Sequence, residues 1–309
     1  MTGGRNDLKC RVPMVSMHGA YRRQCRFGID SMSAAYRRPD LYSRHCETDA
    51  RGLVFSPHRA SGSGEMSLRD KLDERWRRTR ERSPEVAQAY DALVQTLVAS
   101  GITDTSLKAG ECMPDFDLPN VEGRFVASKA LLERGPLVVS FFRGGWCPFC
   151  TTELIALQQA APDIKARGAT LVAITPDTGA ALASAKRDNA LGYEVLSDLD
   201  LGLGLQFGLV YRVPDAIRDL YRRLDLDLGA RHGNAQDVWL LPIPATYIVD
   251  RRGVVRFAEV DCDFRRRMEP AAIIHALDEL AAEERSGGEG KLVGEVARPG
   301  KPDEGVERG

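Results

Sequence analysis

Apolar positions along the chain follow two spacings, and each spacing predicts a different element. Short runs of consecutive apolar residues predict buried strands, and recurrence every three or four positions predicts helices. The strands lie at 137–142, 171–174, 195–196, 245–249 and 254–258, and the helices at 151–167, 179–191 and 270–282. This β-α-β-α-β then β-β-α order predicts an α/β domain, in which helices flank a central mixed β-sheet whose antiparallel pair lies at one side.

A helical segment precedes this domain. Residues 67–100 carry apolar positions at helical spacing, and Ser83 followed by Pro84 is typical of a helix start. Gly101 is placed to end the helix. We therefore divide the chain into an N-terminal helical segment at 66–105 and a domain at 106–285. An insertion at about 208–242 interrupts the domain, with a helix predicted at 214–224 and a polar loop at 229–236.

Both ends of the chain lack the periodicity of an ordered element. Residues 1–64 hold eleven Arg or Lys against five acidic residues, and they contain no apolar core of the kind that a signal peptide needs. We predict a disordered basic extension over 1–65. Residues 286–309 are rich in glycine and mixed charge, which predicts a disordered tail.

Composition argues against several classes of function. The net charge of −1 indicates neither a nucleic-acid partner nor an acidic membrane surface, and no apolar stretch approaches the ~20 residues that span a bilayer. The seven cysteines are scattered and odd in number, which argues against a disulfide-stapled secreted domain. We therefore expect a cytoplasmic protein.

The candidate chemistry lies in residues 143–150, Arg-Gly-Gly-Trp-Cys-Pro-Phe-Cys, between the first strand and the following helix. Cys147 and Cys150 are thus spaced C-x-x-C at a helix N-terminus, where unpaired N–H groups favour a thiolate. Two thiols on one turn can also form a disulfide. A zinc site would need a second Cys or His pair at ligand spacing, and the sequence offers none. We expect redox chemistry, without a metal or cofactor.

Residues around the two thiols have predicted supporting roles. Arg143 can stabilise a thiolate or a leaving oxygen by its charge, although a surface charge or a salt bridge is an equal alternative. Trp146 is predicted to pack beside the motif and limit solvent access, and the two glycines before it allow a tight turn. The arginine run at 265–267 is interpreted as a solvated face or a set of ion pairs.

Several segments together resemble a known family. They are Met-Pro-Asp-Phe-Asp-Leu at 113–118, the 141–150 motif, Pro-Ala-Thr-Tyr-Ile-Val-Asp at 244–250 and the segment 260–270. The chain resembles the peroxiredoxin-like branch of the thioredoxin-fold superfamily, which includes alkyl hydroperoxide reductases and thiol-specific antioxidant proteins. The resemblance implies a thioredoxin-like fold over about 66–285.

The family pattern can be aligned with the motif in two ways. The peroxiredoxin pattern Pro-x-x-x-Thr-x-x-Cys-Thr places the peroxide-attacking cysteine at Cys150, followed by Thr151. Arg143 then stands in place of the proline, Cys147 in place of the threonine, and Pro244 where a late strand carries an arginine. The thioredoxin pattern makes Cys147 the more exposed, attacking thiol and Cys150 its resolving partner. Pro244 would then follow a cis peptide bond and face the disulfide.

The resemblance implies a thiol-dependent peroxidase. Its substrate would be hydrogen peroxide or an organic peroxide, and a thioredoxin-like donor would recycle the Cys147–Cys150 centre. A homodimer is a candidate assembly. Two other hypotheses stay open: a thioredoxin-like protein disulfide oxidoreductase, and a redox-regulated binding protein with no peroxide turnover.

Overall fold

A computed structural model describes residues 66–233 and 239–289 of the chain, with side chains up to residue 285. The extension predicted for 1–65 lies outside the described residues. The tail predicted for 286–309 also lies outside them, apart from residues 286–289, which continue the last helix.

Two helices open the described chain. They are α1 (Leu68–Arg82) and α2 (Pro84–Ala99), and a short 3-10 helix (Ile102–Thr105) follows. The side chain of Ser67 accepts a hydrogen bond from the amide of Asp70, which satisfies one of the free N–H groups at the start of α1. Pro84 is the first residue of α2, and Gly101 has a φ of 64° beyond its end. The predicted helix start and helix stop are both confirmed.

A five-stranded mixed sheet forms the centre of the domain, in the order β5-β4-β3-β8-β9. β3, β4 and β5 are parallel, while β8 is antiparallel to both β3 and β9. The predicted mixed sheet with an antiparallel pair at one side is therefore confirmed. The strands are β3 (Leu137–Phe141), β4 (Thr170–Thr175), β5 (Glu194–Ser197), β8 (Ala245–Val249) and β9 (Val255–Val260).

Smaller elements precede and connect these strands. Before the sheet, β1 and β2 form a hairpin that leads into α3. The long helices that flank the sheet are α4, α5 and α9, and the short helix α6 follows β5. These elements are β1 (Asp117–Pro119), β2 (Phe125–Ala127), α3 (Ser128–Leu132), α4 (Pro148–Ala166), α5 (Gly179–Asp188), α6 (Gly202–Gln206) and α9 (Pro270–Glu289).

Strand alternation sends β3 side chains into two apolar clusters, one on each face of the sheet. Val138 packs with Leu154 of α4 and with residues of α1, α2 and α9. Its neighbours Leu137 and Val139 pack on the other face with residues of α3 and α6. All five β3 residues are buried, which explains why the strand reads as a continuous apolar run.

The insertion contains more structure than the sequence predicts. Its base is a two-stranded pair, β6 (Val210–Arg212) and β7 (Leu240–Pro242), and α7 (Asp215–Arg223) occupies the predicted helix. A short helix, α8 (Leu228–Arg231), extends into the segment predicted as a polar loop, where the Asp227 side chain caps it by accepting from the Ala230 amide. The last part of that loop, 234–238, lies outside the described residues.

Pro162 and Pro244 lie in different settings. Pro162 lies inside α4, and the helix continues past it. The predicted cis bond before Pro244 is wrong, since no peptide bond in the described ranges is cis. The amide of Ile243 donates to the Leu209 carbonyl at 2.8 Å, which ties the residue before Pro244 to the start of the insertion.

Candidate active site

The two candidate thiols lie on the first turn of α4. Cys147 is the N-cap residue and Pro148 the first helical residue, so Cys150 also lies in that turn. The amide of Cys147 donates to the Gly144 carbonyl at 3.1 Å, which closes the turn between β3 and the helix. Both sulfurs therefore lie at the helix N-terminus, where the electrostatic potential is positive.

The two glycines before Trp146 are required by close contacts. Gly144 has a φ of 146°, and a Cβ there would lie 2.3 Å from the indole nitrogen of Trp146. A Cβ on Gly145 would lie 2.7 Å from the Cβ of Ala185 in α5. Glycine at 145 therefore lets the motif pack against α5, and glycine at 144 accommodates the positive φ and the indole of Trp146.

Both thiols are enclosed. Cys147 and Cys150 are free cysteines with 0% exposure, so the prediction that Cys147 is the more exposed is wrong. The reason is tertiary: α1 packs across α4, and α2 packs against α7 of the insertion. These elements cover a helix start that would be open to solvent in a bare sheet-and-helix unit.

Arg143 binds the first thiol. Its Nη2 atom lies 3.1 Å from the Cys147 sulfur and its Nη1 donates to the Tyr221 hydroxyl at 3.2 Å. The guanidinium carbon lies 3.9 Å from the ring centre of Phe264 and 5.0 Å from that of Trp146. Arg143 is fully buried, so the structure excludes the surface-charge alternative. Trp146 also packs edge-on against Tyr221, with ring centres 5.2 Å apart.

The surroundings shift the pKa values of the two thiols in opposite directions. Burial alone raises the pKa of Cys147, but the hydrogen bond from the Cys150 thiol and the charge of Arg143 outweigh it and hold that pKa well below its usual range. Burial and the hydrogen bond that it gives to Cys147 raise the pKa of Cys150 well above its usual range. These opposite directions favour the thiolate on Cys147 and the protonated thiol on Cys150.

Arg267 lies beside the second thiol, which the sequence interpretation missed. Its side chain is 2% exposed, so the solvated-face interpretation is wrong for this residue. Nε lies 2.6 Å from the Glu153 carboxylate, and Nη2 lies 3.6 Å from the Cys150 sulfur. No local pattern marks this contact, because Arg267 and Cys150 are 117 positions apart. Arg265 does form the expected ion pairs, with Asp263 and Asp91.

The remaining predicted site residues lie at the edge of this centre. The Thr151 hydroxyl donates to the Pro148 carbonyl at 3.1 Å, within the same helical turn. Pro244 lines a cleft with Thr246 and with Arg267, the arginine that lies beside Cys150. Among the described residues, no cluster of three or more His, Cys, Asp or Glu side chains is arranged to hold a metal ion. None of the described helices combines the length and apolarity needed to span a bilayer.

Comparison with known proteins identifies the domain. Residues 109–258 match the AhpC/TSA family. Two Mycobacterium tuberculosis proteins, "Putative peroxiredoxin MT1643" and "Putative peroxiredoxin Rv1608c", are each 29% identical over 103 residues, which cover 33% of this chain and 67% of theirs. The domain is peroxiredoxin-like. The match begins after the N-terminal helices, so α1 and α2 lie outside the family region.

Solved structures related to the peroxiredoxin-like domain include two peroxiredoxins. Peroxidoxin BcpB from Mycobacterium tuberculosis has 23% identity and a TM-score of 0.43, over 57% of this chain and 97% of that one. Peroxiredoxin 6 of Arenicola marina has 19% identity and a TM-score of 0.46, over 58% and 76% of the two chains.

Two arginines from distant parts of the chain meet at the pair of thiols. Arg267, from the loop after β9, brings a guanidinium to Cys150, and Arg143 brings another to Cys147. The domain thus has one buried guanidinium for each of the two thiols.

Proposed function

We propose that this chain is a thiol-dependent peroxidase in which Cys147 attacks the peroxide and Cys150 resolves the product. The contact that carries the proposal is the 3.1 Å approach of Arg143 Nη2 to the Cys147 sulfur. A guanidinium that stabilises the thiolate makes the reactive form of the thiol available at neutral pH.

The first step uses the edge of the guanidinium that faces the thiolate. The thiolate attacks one peroxide oxygen, the O–O bond breaks, and Cys147 becomes a sulfenic acid while an alkoxide or hydroxide departs and takes a proton from water to leave as an alcohol or as water. Arg143 Nε shares that edge with Nη2 and has no hydrogen-bond partner among the described residues. In the proposed mechanism Nε donates to the departing oxygen and stabilises its negative charge.

The second step joins the two thiols. The Cys150 sulfur attacks the sulfenic sulfur of Cys147, an S–S bond forms, and the departing hydroxide takes the Cys150 proton and leaves as water. Arg267 at 3.6 Å stabilises the negative charge that develops on Cys150. A thioredoxin-like donor then reduces the disulfide with two thiols of its own.

The enclosure of the two thiols limits the size of the substrate. Because both sulfurs have 0% exposure, a peroxide reaches Cys147 only through a local opening of the α1–α2 and α7 cover. Small substrates, hydrogen peroxide and short organic peroxides, need the smallest opening. The homodimer and the cytoplasmic location stay predictions of the sequence.

Peroxide consumption by single-cysteine variants tests the assignment. Cys147→Ser should abolish both turnover and sulfenic acid formation, whereas Cys150→Ser should form one sulfenic acid per chain and then stop. Cys262→Ser, which changes a buried free thiol outside the pair, should retain turnover.

Other outcomes identify other functions. Sulfenic acid on Cys150 in the Cys147→Ser variant would reverse the two roles, as the peroxiredoxin alignment of the motif predicts. Wild-type protein that reduces protein disulfides without consuming peroxide would be a disulfide oxidoreductase. Reaction with neither substrate would leave the redox-regulated binding protein.

A further inference from the structure

A buried carboxylate lies behind the turn that carries the attacking thiol. Asp177 follows β4, and its side chain is 0% exposed. One of its oxygens accepts a hydrogen bond of 2.7 Å from the amide of Gly145, two residues before Cys147. The same oxygen would lie 3.0 Å from a Cβ on Gly144. Asp177 therefore contacts the glycine turn at the point where the backbone bends into α4.

The insertion supplies the counter-charge for this carboxylate. Arg231, the last residue of α8, donates from Nε and Nη2 to the two Asp177 oxygens at 3.1 and 3.0 Å. The backbone of α8 is held at the same place, because the Thr178 amide donates to the Arg231 carbonyl at 2.9 Å. A bidentate pair with this geometry orients both partners.

These contacts form one continuous chain from the insertion to the thiol: Arg231, Asp177, Gly145 and then Cys147. We propose that Asp177 and Arg231 are positioning residues through which the insertion sets the reactivity of Cys147. The proposal rests on the proposed function only in taking Cys147 as the reactive thiol.

The physical reason is the charge of Asp177. Without Arg231, the carboxylate would lose its counter-ion while still enclosed, and it would draw in water or rotate away from Gly145. Either change shifts the turn that aligns Cys147 with Arg143. The unpaired negative charge of Asp177 also disfavours a negative charge on the Cys147 sulfur. The other ionisable groups near this region are Cys150, Glu153, Arg267, the buried His232 and three tyrosines, Tyr90, Tyr211 and Tyr221.

The test measures Cys147 directly. The reduced full-length protein is alkylated with iodoacetamide from pH 4 to 9, and peptide mass spectrometry follows Cys147 in wild type and in Arg231→Ala, Arg231→Gln and Arg231→Lys. We expect the midpoint for Arg231→Ala to rise by about one pH unit, which is a tenfold slower reaction below the midpoint. The Gln variant should shift less and the Lys variant least, because lysine restores the charge. Arg223→Ala, an exposed arginine at the end of α7, is the matched control.

The outcome that overturns the proposal is an unchanged profile in the Ala and Gln variants with native circular dichroism. If Arg231→Ala does not fold, identical profiles for wild type, Gln and Lys overturn it equally. Alkylation requires no peroxide turnover, so the result stays separate from the proposed function. Wild type that alkylates as expected but consumes no peroxide would contradict the function alone.

Discussion

At the scale of single residues, the buried arginines of the active site are each paired with specific neighbours. Arg143 is enclosed by two aromatic rings, a tyrosine hydroxyl and a thiolate, and Arg267 is paired with Glu153. Buried charges are costly unless they are paired, so each of these groups depends on its neighbour. His232 differs, because it is buried beside Asp177 and Arg231 and burial lowers its pKa to about 4.

His232 should make the domain sensitive to acid. Its pKa in the folded chain is about 4, below the usual histidine value of about 6.5, so the unfolded chain binds the proton first as the pH falls. The stabilisation is therefore present above pH ~6.5 and is lost between there and pH ~4. From pH 7 to pH 5 we expect this group to remove about 2 kcal/mol of the free energy of unfolding.

Urea unfolding at the two pH values measures this loss. His232→Gln cannot titrate and should lose about 2 kcal/mol less than wild type over the same interval. His275→Gln, an exposed position on α9, is the control. Equal losses in wild type and His232→Gln would show that another group causes the acid sensitivity.

At the scale of elements, the cover over the active site is anchored from the far end of the domain. Glu269, just before α9, accepts hydrogen bonds from the amides of Leu68 at 3.2 Å and Arg69 at 2.7 Å. Free N–H groups at a helix start favour an acidic partner. Trp76 of α1 then lies against Phe149 of the motif, with ring centres 6.5 Å apart. The position of α1 over the thiols thus depends on a carboxylate 200 residues away in the chain.

Removing this carboxylate should loosen the cover. We expect Glu269→Ala to lower the free energy of unfolding by about 1 kcal/mol, as the loss of a helix cap does. It should also increase the labelling of Cys147 by a bulky maleimide relative to iodoacetamide, because the larger reagent needs the larger opening. Glu81→Ala, an exposed change near the other end of α1, is the control. Equal effects of the two variants on both measurements would contradict the anchoring role.

At the scale of the whole molecule, the redox state and the stability of the fold are linked. The reduced centre holds a thiolate against a fully buried guanidinium. Formation of the Cys147–Cys150 disulfide removes that negative charge and leaves Arg143 enclosed without its counter-ion. Loss of one partner of a buried ion pair costs about 3–5 kcal/mol.

The disulfide itself returns about 2 kcal/mol, because it closes so short a loop, so we expect the reduced protein to be more stable than the oxidised protein by about 1–3 kcal/mol. Urea unfolding of the two redox forms measures the difference. Arg143→Met removes the buried charge, so its oxidised form, which keeps the contribution of the disulfide, should be the more stable of the two. An oxidised wild type that is as stable as the reduced one would mean that the enclosure opens and hydrates Arg143 when the disulfide forms.

Much of the architecture could be predicted because it depends on local patterns. The five predicted strands lie in the sheet, and the Ser83-Pro84 helix start and the Gly101 stop lie where the pattern places them. A run such as 137–142 is apolar because both faces of its sheet are covered, and that requirement is visible without knowing the neighbours. The polar-loop prediction failed at α8, because a four-residue helix capped by Asp227 has no periodicity to detect.

The sequence by itself determined that two cysteines stand at a helix start after a buried strand, with an arginine and two glycines before them. Tertiary structure decided which charged group lies beside each thiol, because Arg143 reaches Cys147 and Arg267 reaches Cys150 only in the folded chain. It also decided that both thiols are enclosed and that the bond before Pro244 is trans. Burial and the position of a charged group depend on residues far apart in the chain, whereas strand and helix patterns depend on near neighbours.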